Sequence, residues 1–159
     1  MLSWYSSWSY HEEYLVFHKI IPMPIKGKYG NLQHQDLPSP DTVITVFNPS
    51  DDSKKIDIDA IFDTAAVMTC LPEKKIKQLG GLNYSSVNVR GVNDTTVERT
   101  TYFVNIRLGD ESFSNIEVIA TPKSYGLIGR DILNQNKVMF DGQEKRWIYQ
   151  CPGSCDTSS

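Results

Sequence analysis

The chain has 159 residues and a mass of 18.0 kDa, which suits one compact domain because chains divide into several domains only above roughly 250 residues. Hydrophobic residues make up 40% and charged residues 22%, proportions typical of a globular protein and not of a collagen-like or disordered one. With 16 Lys and Arg against 19 Asp and Glu, the net charge of −3 gives no electrostatic reason to expect nucleic acid or anionic lipid as a partner.

The sequence also argues against a membrane segment, a disulfide framework and a metal site. No apolar run approaches the ~20 residues that a membrane-spanning helix needs, and the start of the chain lacks the basic and apolar segments of a signal peptide. The three cysteines are too few for a disulfide framework, and all three histidines lie in the first 34 residues, away from other ligands. We therefore expect a cytoplasmic protein with reduced thiols and without a metal or cofactor.

Residues 1–40 differ in composition from the rest and are interpreted as an N-terminal arm. Tryptophans and tyrosines alternate with serines at the start, and prolines at 22, 24, 38 and 40 interrupt any regular pattern. The one apolar stretch, 14–17, is compatible with an added strand on the domain and equally with a segment that moves. Residues 151–159 form a polar C-terminal tail.

Between the arm and the tail, strand signals recur at short intervals. Within 55–62, apolar residues at 56, 58, 60 and 62 alternate with Asp57 and Asp59, which predicts a strand with one buried face. Only two short helices are predicted, over 72–79 and over 131–135 towards the C-terminus. The chain is therefore predicted to be mostly β, with strands over 42–47, 55–62, 87–92, 100–108, 112–120, 137–140 and 146–149.

Asp63 is the acidic residue with the most unusual context. It directly follows the apolar strand that ends at Phe62, and two small residues, Ala65 and Ala66, come shortly after it. A carboxylate at the end of a buried strand costs free energy unless hydrogen bonds or a functional role compensate for it. The local pattern is equally compatible with a loop aspartate that caps a turn through Thr64.

A second unusual string lies near the C-terminus, where two aliphatic residues precede Gly129 and a short predicted helix. Taken alone, this string indicates a strand that ends in a glycine turn and a helix cap. Its members are Leu127, Ile128, Gly129 and Arg130.

Together the two strings resemble the retropepsin-like aspartic protease family. The active-site loop of that family runs apolar-apolar-Asp-Thr/Ser-Gly-Ala, and a later apolar-apolar-Gly-Arg-Asp/Asn motif packs behind the loop. The resemblance extends over 42–149 in the order of the elements, and the sequence looks most similar to small stand-alone bacterial members. It implies a mostly β, retropepsin-like half-barrel with one short C-terminal helix, active as a homodimer, with the protease domain at 41–150.

The resemblance also implies roles for individual residues. Asp63 of each subunit would be the catalytic carboxylate, Thr64 would bind the partner loop, and Ala65 and Ala66 would complete the active-site loop. The activity implied is that of an aspartic endopeptidase without metal or cofactor, whose partners are a second copy of itself and a peptide or protein substrate. The flap would carry Val92, Asn93, Asp94 and Thr95, and the loop would be supported by Leu127, Ile128, Gly129 and Arg130.

Two departures from the family pattern leave an alternative open. Ala65 stands where the family has Gly, so its methyl group would crowd the cleft, or strain the loop if the position needs positive φ. Val67 stands where retroviral enzymes have the Asp that pairs with the motif's arginine, so Arg130 must find another partner. The alternative is a non-catalytic dimer of the same fold that binds peptides or acts as a scaffold. Other hydrolase or nucleotide-binding classes are disfavoured, because neither a Gly-x-Ser-x-Gly elbow nor a phosphate-binding glycine loop is present.

Overall fold

The computed structural model describes residues 24–32, 37–80, 83–90 and 94–150. These residues form strands and two short helices, which confirms the prediction of a mostly β chain. The elements in chain order are β1 (Ile25–Gly30), β2 (Ser39–Asn48), β3 (Asp51–Phe62), β4 (Cys70–Pro72), α1 (Glu73–Gln78), β5 (Asn83–Arg90), β6 (Thr96–Leu108), β7 (Glu111–Thr121), β8 (Gly126–Ile128), α2 (Arg130–Leu133), β9 (Lys137–Asp141) and β10 (Arg146–Gln150).

The strands form one sheet in the order β5-β6-β7-β4-β8-β3-β2-β1-β10-β9, and β2 pairs in addition with β6. Most neighbours are antiparallel, but β8 runs parallel to β3, and β4 runs parallel to β7. The additional β2–β6 pairing joins strands from two parts of the sheet order, so the sheet curves back around its buried face. No helix in the described part of the chain has the length and apolar character that a membrane crossing requires.

The alternation of apolar and acidic residues that predicts β3 matches the burial of its side chains. Ile58 and Ala60 are buried, whereas Asp57 and Asp59 between them are exposed. Because successive side chains of a strand point to opposite faces, this pattern places one face of β3 in the core and the other at the surface. The core continues through the alternate apolar residues of β2, β6 and β7.

Three strands are absent from the predicted set, although the string at 127–130 already indicated a strand ending before Gly129, where β8 lies. β4 and β8 have three residues each, too few for an alternation to be recognised. β1 lies in the segment assigned to the N-terminal arm, and its two glycines and two lysines give a weak strand signal. It nevertheless pairs with β10 and, at its end, with β2, so part of the 1–40 segment contributes a strand to the sheet.

Aromatic residues from three strands meet at the end of β3. The ring of Phe62 lies 4.9 Å from Trp147, 5.8 Å from Phe140 and 6.4 Å from Tyr149, measured between ring centroids. Trp147 and Tyr149 belong to β10, and Phe140 belongs to β9. Aromatic contacts of this kind add to the stabilisation from apolar burial. They hold the last residue of β3 against the C-terminal strands, directly before Asp63.

Candidate active site

The backbone places Asp63 beside the second sequence string. β3 and β8 pair in parallel, with Phe62 opposite Ile128, and the N–H of Asp63 donates to the carbonyl of Ile128 at 3.0 Å. Parallel pairing brings the carboxyl ends of two strands to the same edge of a sheet. The two strings, about sixty residues apart in sequence, therefore meet where β3 and β8 end.

The loop after β3 is folded around the carboxylate of Asp63. Its Oδ1 accepts hydrogen bonds from the backbone N–H groups of Ala65, at 3.0 Å, and Ala66, at 3.2 Å. This is the turn-capping arrangement that the local pattern allowed, and it fixes the carboxylate. Asp63 is half-buried, and no donor from the described residues reaches its Oδ2. The loop thus holds one carboxylate oxygen, and the other accepts no hydrogen bond from the described residues.

Thr64 and Ala65 form the outer part of this loop, and both are exposed. Among the described residues, positive φ outside glycine occurs at Asp94, Asn115 and Lys145, so Ala65 has an ordinary backbone conformation. The strain that Ala in place of Gly would cause at positive φ is absent. The remaining difference between Ala65 and the family's glycine is the volume of one exposed methyl group.

The second string supports the loop through its backbone. The N–H of Arg130 donates to the carbonyl of Ala66 at 3.0 Å, and the N–H of Asp131 donates to the carbonyl of Val67 at 3.3 Å. Gly129 lies close to the backbone of Met68 and Thr69, the residues that come after the Asp63 loop. A Cβ added at Gly129 would lie 2.5 Å from the Met68 carbonyl carbon. Glycine is required at 129 because backbone, not a flexible side chain, occupies that space.

Two side chains to which the sequence analysis assigned no role, those of Thr69 and Asp131, complete this support. The carboxylate of Asp131 accepts from the Thr69 N–H and from the Thr69 hydroxyl, each at 2.8 Å. It also accepts from the N–H of Ile132 at 3.0 Å, and the Thr69 hydroxyl accepts from the N–H of Gly129 at 3.1 Å. In the sequence, each of these residues is a polar side chain among apolar neighbours, and this was the signal that could have identified them. Only the fold shows that Thr69 and Asp131 bond to each other.

Arg130 makes no ion pair with any described residue, and its side chain is exposed. Val67 is 66% exposed nearby. The partner expected for Arg130 is therefore not found within the described residues of one chain.

The predicted flap falls on the hairpin of β5 and β6, whose last paired residues are Arg90 and Thr96. Val92 and Asn93 lie outside the described residues. Asp94 and Thr95 are exposed at the tip, and Asp94 has a φ of 60° and lies 3.5 Å from Arg90.

Cys70 lies behind the loop, and burial and nearby charges change the pKa of its thiol. The pKa of the Cys70 thiol is raised to about 11, mainly by burial and also by the negative charges of Asp131 and Asp63, while Lys123 opposes the shift. A thiol of this pKa is protonated and unreactive at neutral pH, so Cys70 is not suited to act as a nucleophile. The described residues contain no group of three or more side chains that would hold a metal ion.

Comparison with known proteins identifies the class to which this site belongs. Residues 51–132, a little over half of the chain, match the family described as aspartyl protease. The matched segment contains the Asp63 loop and the Gly129–Arg130 string. The chain belongs to the aspartyl protease family.

The retropepsin-like structure with a TM-score above 0.5 agrees with this assignment at the level of the fold. A retropepsin-like aspartic protease from Rickettsia conorii is 16% identical, with a TM-score of 0.51, over 81% of this chain and 91% of that one. The EIAV protease, solved in complex with the inhibitor HBY-793, is 21% identical, with a TM-score of 0.49, over 60% of this chain and 86% of that one. No curated protein sequence matches the chain. The predicted retropepsin-like fold is confirmed.

Proposed function

We propose that this protein is an aspartic endopeptidase that cleaves extended peptides between apolar residues, with Asp63 as its catalytic carboxylate. The observation that carries this proposal is the environment of Asp63. One oxygen of the carboxylate is fixed by two loop N–H groups, the other meets no described donor, and the loop beside it is exposed. A carboxylate that is positioned in this way, but not neutralised by an ion pair, is suited to proton transfer.

The proposed mechanism needs two such carboxylates. The chain carries one Asp63 loop, so a symmetric dimer would supply the second. Two carboxylates a few ångströms apart cannot both ionise, and the pair shares one proton. The ionised member takes a proton from water, while the protonated member donates to the scissile carbonyl, and no covalent intermediate forms.

The hairpin of β5 and β6 supplies the remaining part of the proposal. The described residues of its tip, Asp94 and Thr95, are exposed, and near the tip Arg90 of β5 pairs with Thr96 of β6. We propose that it closes over a bound peptide as a flap, which excludes water other than the attacking molecule.

The decisive experiment is cleavage of a peptide library by the wild type and by Asp63→Asn, measured from pH 3 to pH 8. The wild type is expected to give a bell-shaped rate profile whose two limbs report the pair, because activity needs exactly one shared proton. Asp63→Asn should lower the rate by about 10²-fold or more, since general acid–base catalysis contributes at least that much. Asp110→Asn, at an exposed site in the turn between β6 and β7, serves as the matched control and should leave the rate unchanged. Equal cleavage by Asp63→Asn would refute the assignment.

The second candidate, a peptide-binding or scaffold dimer, rests on the exposed methyl of Ala65 in the loop. Since the backbone at Ala65 is unstrained, Ala65→Gly relieves only crowding. For a working protease we expect no gain in rate and a stability loss of about 0.5–1 kcal/mol, because glycine loses more conformational freedom on folding. A wild type without Asp63-dependent cleavage, together with a gain on Ala65→Gly, would favour the scaffold.

A further inference from the structure

A row of four side chains crosses the sheet beside the candidate active site. Ile61 of β3 pairs with Leu127 of β8. Leu127 also pairs with Cys70 of β4, and Cys70 pairs in turn with Ile119 of β7. The neighbours of these residues along the chain lie in the core, namely Ala60, Phe62, Leu71, Ala120 and Ile128. Because successive side chains of a strand point to opposite faces, the row lies on the face turned away from the core.

Lys123 and Tyr125 lie in the loop that leads from β7 into β8. Tyr125 directly precedes β8 and stands two residues before Leu127. The negative charge of Asp63 raises the pKa of the Cys70 thiol, and the positive charge of Lys123 lowers the pKa of the same thiol. Both charged groups therefore lie near Cys70, which places the loop beside the candidate active site.

The ammonium group of Lys123 is exposed and is held by Tyr125. Its Nζ donates to the Tyr125 hydroxyl at 3.1 Å and lies 5.0 Å from the centre of the Tyr125 ring. Lys123 makes no ion pair with any described residue, so its charge is oriented but not neutralised. A lysine side chain that is already held loses less conformational freedom when it binds an anion.

The two groups together suit a carboxylate. The Tyr125 hydroxyl accepts from Lys123 and keeps its own hydrogen as a donor, and the ammonium group keeps further N–H donors. Both groups can therefore donate to one carboxylate from positions 3.1 Å apart. Hydrogen bonds to an ionised acceptor are shorter and stronger than those between neutral groups.

The pairing of β8 with β3 gives the distance from this loop to Asp63. Gly126, the residue after Tyr125, is paired with Ala60, three residues before Asp63. At about 3.3 Å per residue, the loop lies about 10 Å from Asp63 along β3. An extended peptide advances by a similar distance per residue, so its side chains within about four residues of the scissile bond come within reach of the loop.

We infer that Lys123 and Tyr125 form a subsite for the carboxylate of an aspartate or glutamate in the substrate, within about four residues of the scissile bond. This inference rests on the proposed function, because it needs a peptide bound beside Asp63. A two-fold dimer presents one such subsite on each side of the scissile bond. The substrates are then peptides that carry an acidic residue near the apolar pair that is cleaved.

Charge reversal tests the subsite. A peptide library with a fixed apolar pair, randomised over four positions on either side, is cleaved by the wild type and by Lys123→Glu. The wild type should prefer Asp and Glu over Asn and Gln about three- to tenfold at one or more positions, and Lys123→Glu should prefer Lys and Arg there. Lys74→Glu, at an exposed site on α1, is the matched control and should keep the wild-type preference. A preference for acids that is unchanged in Lys123→Glu would overturn the inference.

Kinetics on two peptides distinguish binding from a structural role. The peptides are the best acidic one and its amide counterpart, with Asn or Gln in place of the acid. Lys123→Gln should raise KM for the acidic peptide relative to the amide about three- to tenfold and leave kcat within about twofold, because a contact made equally before and during reaction affects KM alone. Tyr125→Phe, which keeps the ring and removes the hydroxyl, should give part of that rise. A fall in kcat for both peptides without a change in the KM ratio would overturn the subsite.

The same proteins separate this inference from the proposed function. Asp63-dependent cleavage without any preference for acids would overturn the subsite alone. If no Asp63-dependent cleavage occurs, the peptidase is overturned, and fluorescence anisotropy of the labelled acidic and amide peptides then tests the subsite. Tighter binding of the acidic peptide that is lost in Lys123→Gln would leave the subsite standing, and equal binding of the two peptides would overturn it.

Discussion

The carboxylate of Asp131 accepts both hydrogen bonds that Thr69 donates, from its backbone N–H and from its hydroxyl, each at 2.8 Å. The side chain of Thr69 is fully buried, and its hydroxyl in turn accepts from the N–H of Gly129. The bonds connect the segment after the Asp63 loop to the start of α2. This connection holds the end of the loop against the start of α2.

Thr69→Val tests how much this connection stabilises the protein. The substitution keeps the volume but removes the hydroxyl, which leaves the N–H of Gly129 without its acceptor. A buried donor without an acceptor leaves its full desolvation cost uncompensated. The free energy of unfolding, measured by chemical denaturation, should therefore fall by about 1–3 kcal/mol. The matched control is Thr45→Val, whose hydroxyl donates to Asp57 at 2.8 Å at an exposed site and whose loss should cost under about 0.5 kcal/mol. Equal losses would contradict the role given to Thr69.

Gly129→Ala tests the close approach of the two strings. An added Cβ would lie 2.5 Å from the carbonyl carbon of Met68 and 2.8 Å from the N atom of Thr69, so the backbone must move. We expect the unfolding free energy to fall by about 2–3 kcal/mol and the loop bonds to weaken with it. Gly142→Ala, where nothing lies within 4 Å, should change it by less than about 0.5 kcal/mol. An unchanged free energy of unfolding for Gly129→Ala would show that the two strings are not in close backbone contact at Gly129.

Asp41 gives a pH dependence with a defined sign. Burial raises the pKa of its carboxyl above 3.8, an effect that backbone N–H groups of Gly30 and Leu32 only partly offset and that Asp59 reinforces. The folded state therefore binds the proton more tightly than the unfolded state, and this favourable effect is lost as the pH rises through the raised pKa. Compared with Asp41→Asn, the wild type should gain stability as the pH falls from 7 towards 4, measured by denaturation at each pH.

Asp51→Asn is the control of opposite sign. The Ser53 hydroxyl and other donors lower the pKa of Asp51, so its contribution is present above 3.8 and is lost as the pH falls through the lowered value. Relative to this variant, the wild type should lose stability on acidification. Parallel trends for the two variants would refute the sign assigned to Asp41.

Cys70 should resist alkylation in the folded protein. Its pKa of about 11 keeps nearly all of the thiol protonated at pH 8, and the thiolate is the reactive form. Iodoacetamide at pH 8 should leave Cys70 unmodified in native protein and modify it in urea, as read from the mass of the peptide that contains it. Rapid modification in the native state would show that the thiol is neither buried nor close to the charges of Asp131 and Asp63.

The sequence by itself determined the strands with a clear alternation and the class of the protein. In β3, apolar residues at every second position indicated one buried face, because side chains of a strand alternate between faces. Asp63 and the Gly129–Arg130 string stood out because their residue types are unusual after apolar segments. The short strands β4 and β8 carried no period, and β1 was obscured by its glycines and lysines.

The tertiary structure alone decided what holds these parts together. Thr69 and Asp131 are 62 residues apart, and neither shows in the sequence that it needs the other. The conformation of Ala65 and the place of β9 at the end of the sheet likewise depend on strands that pair from distant parts of the chain. The local sequence pattern shows which face of a segment is buried. It does not show which other segment that one pairs with, because each hydrogen bond between segments depends on how both partners pack in the common core.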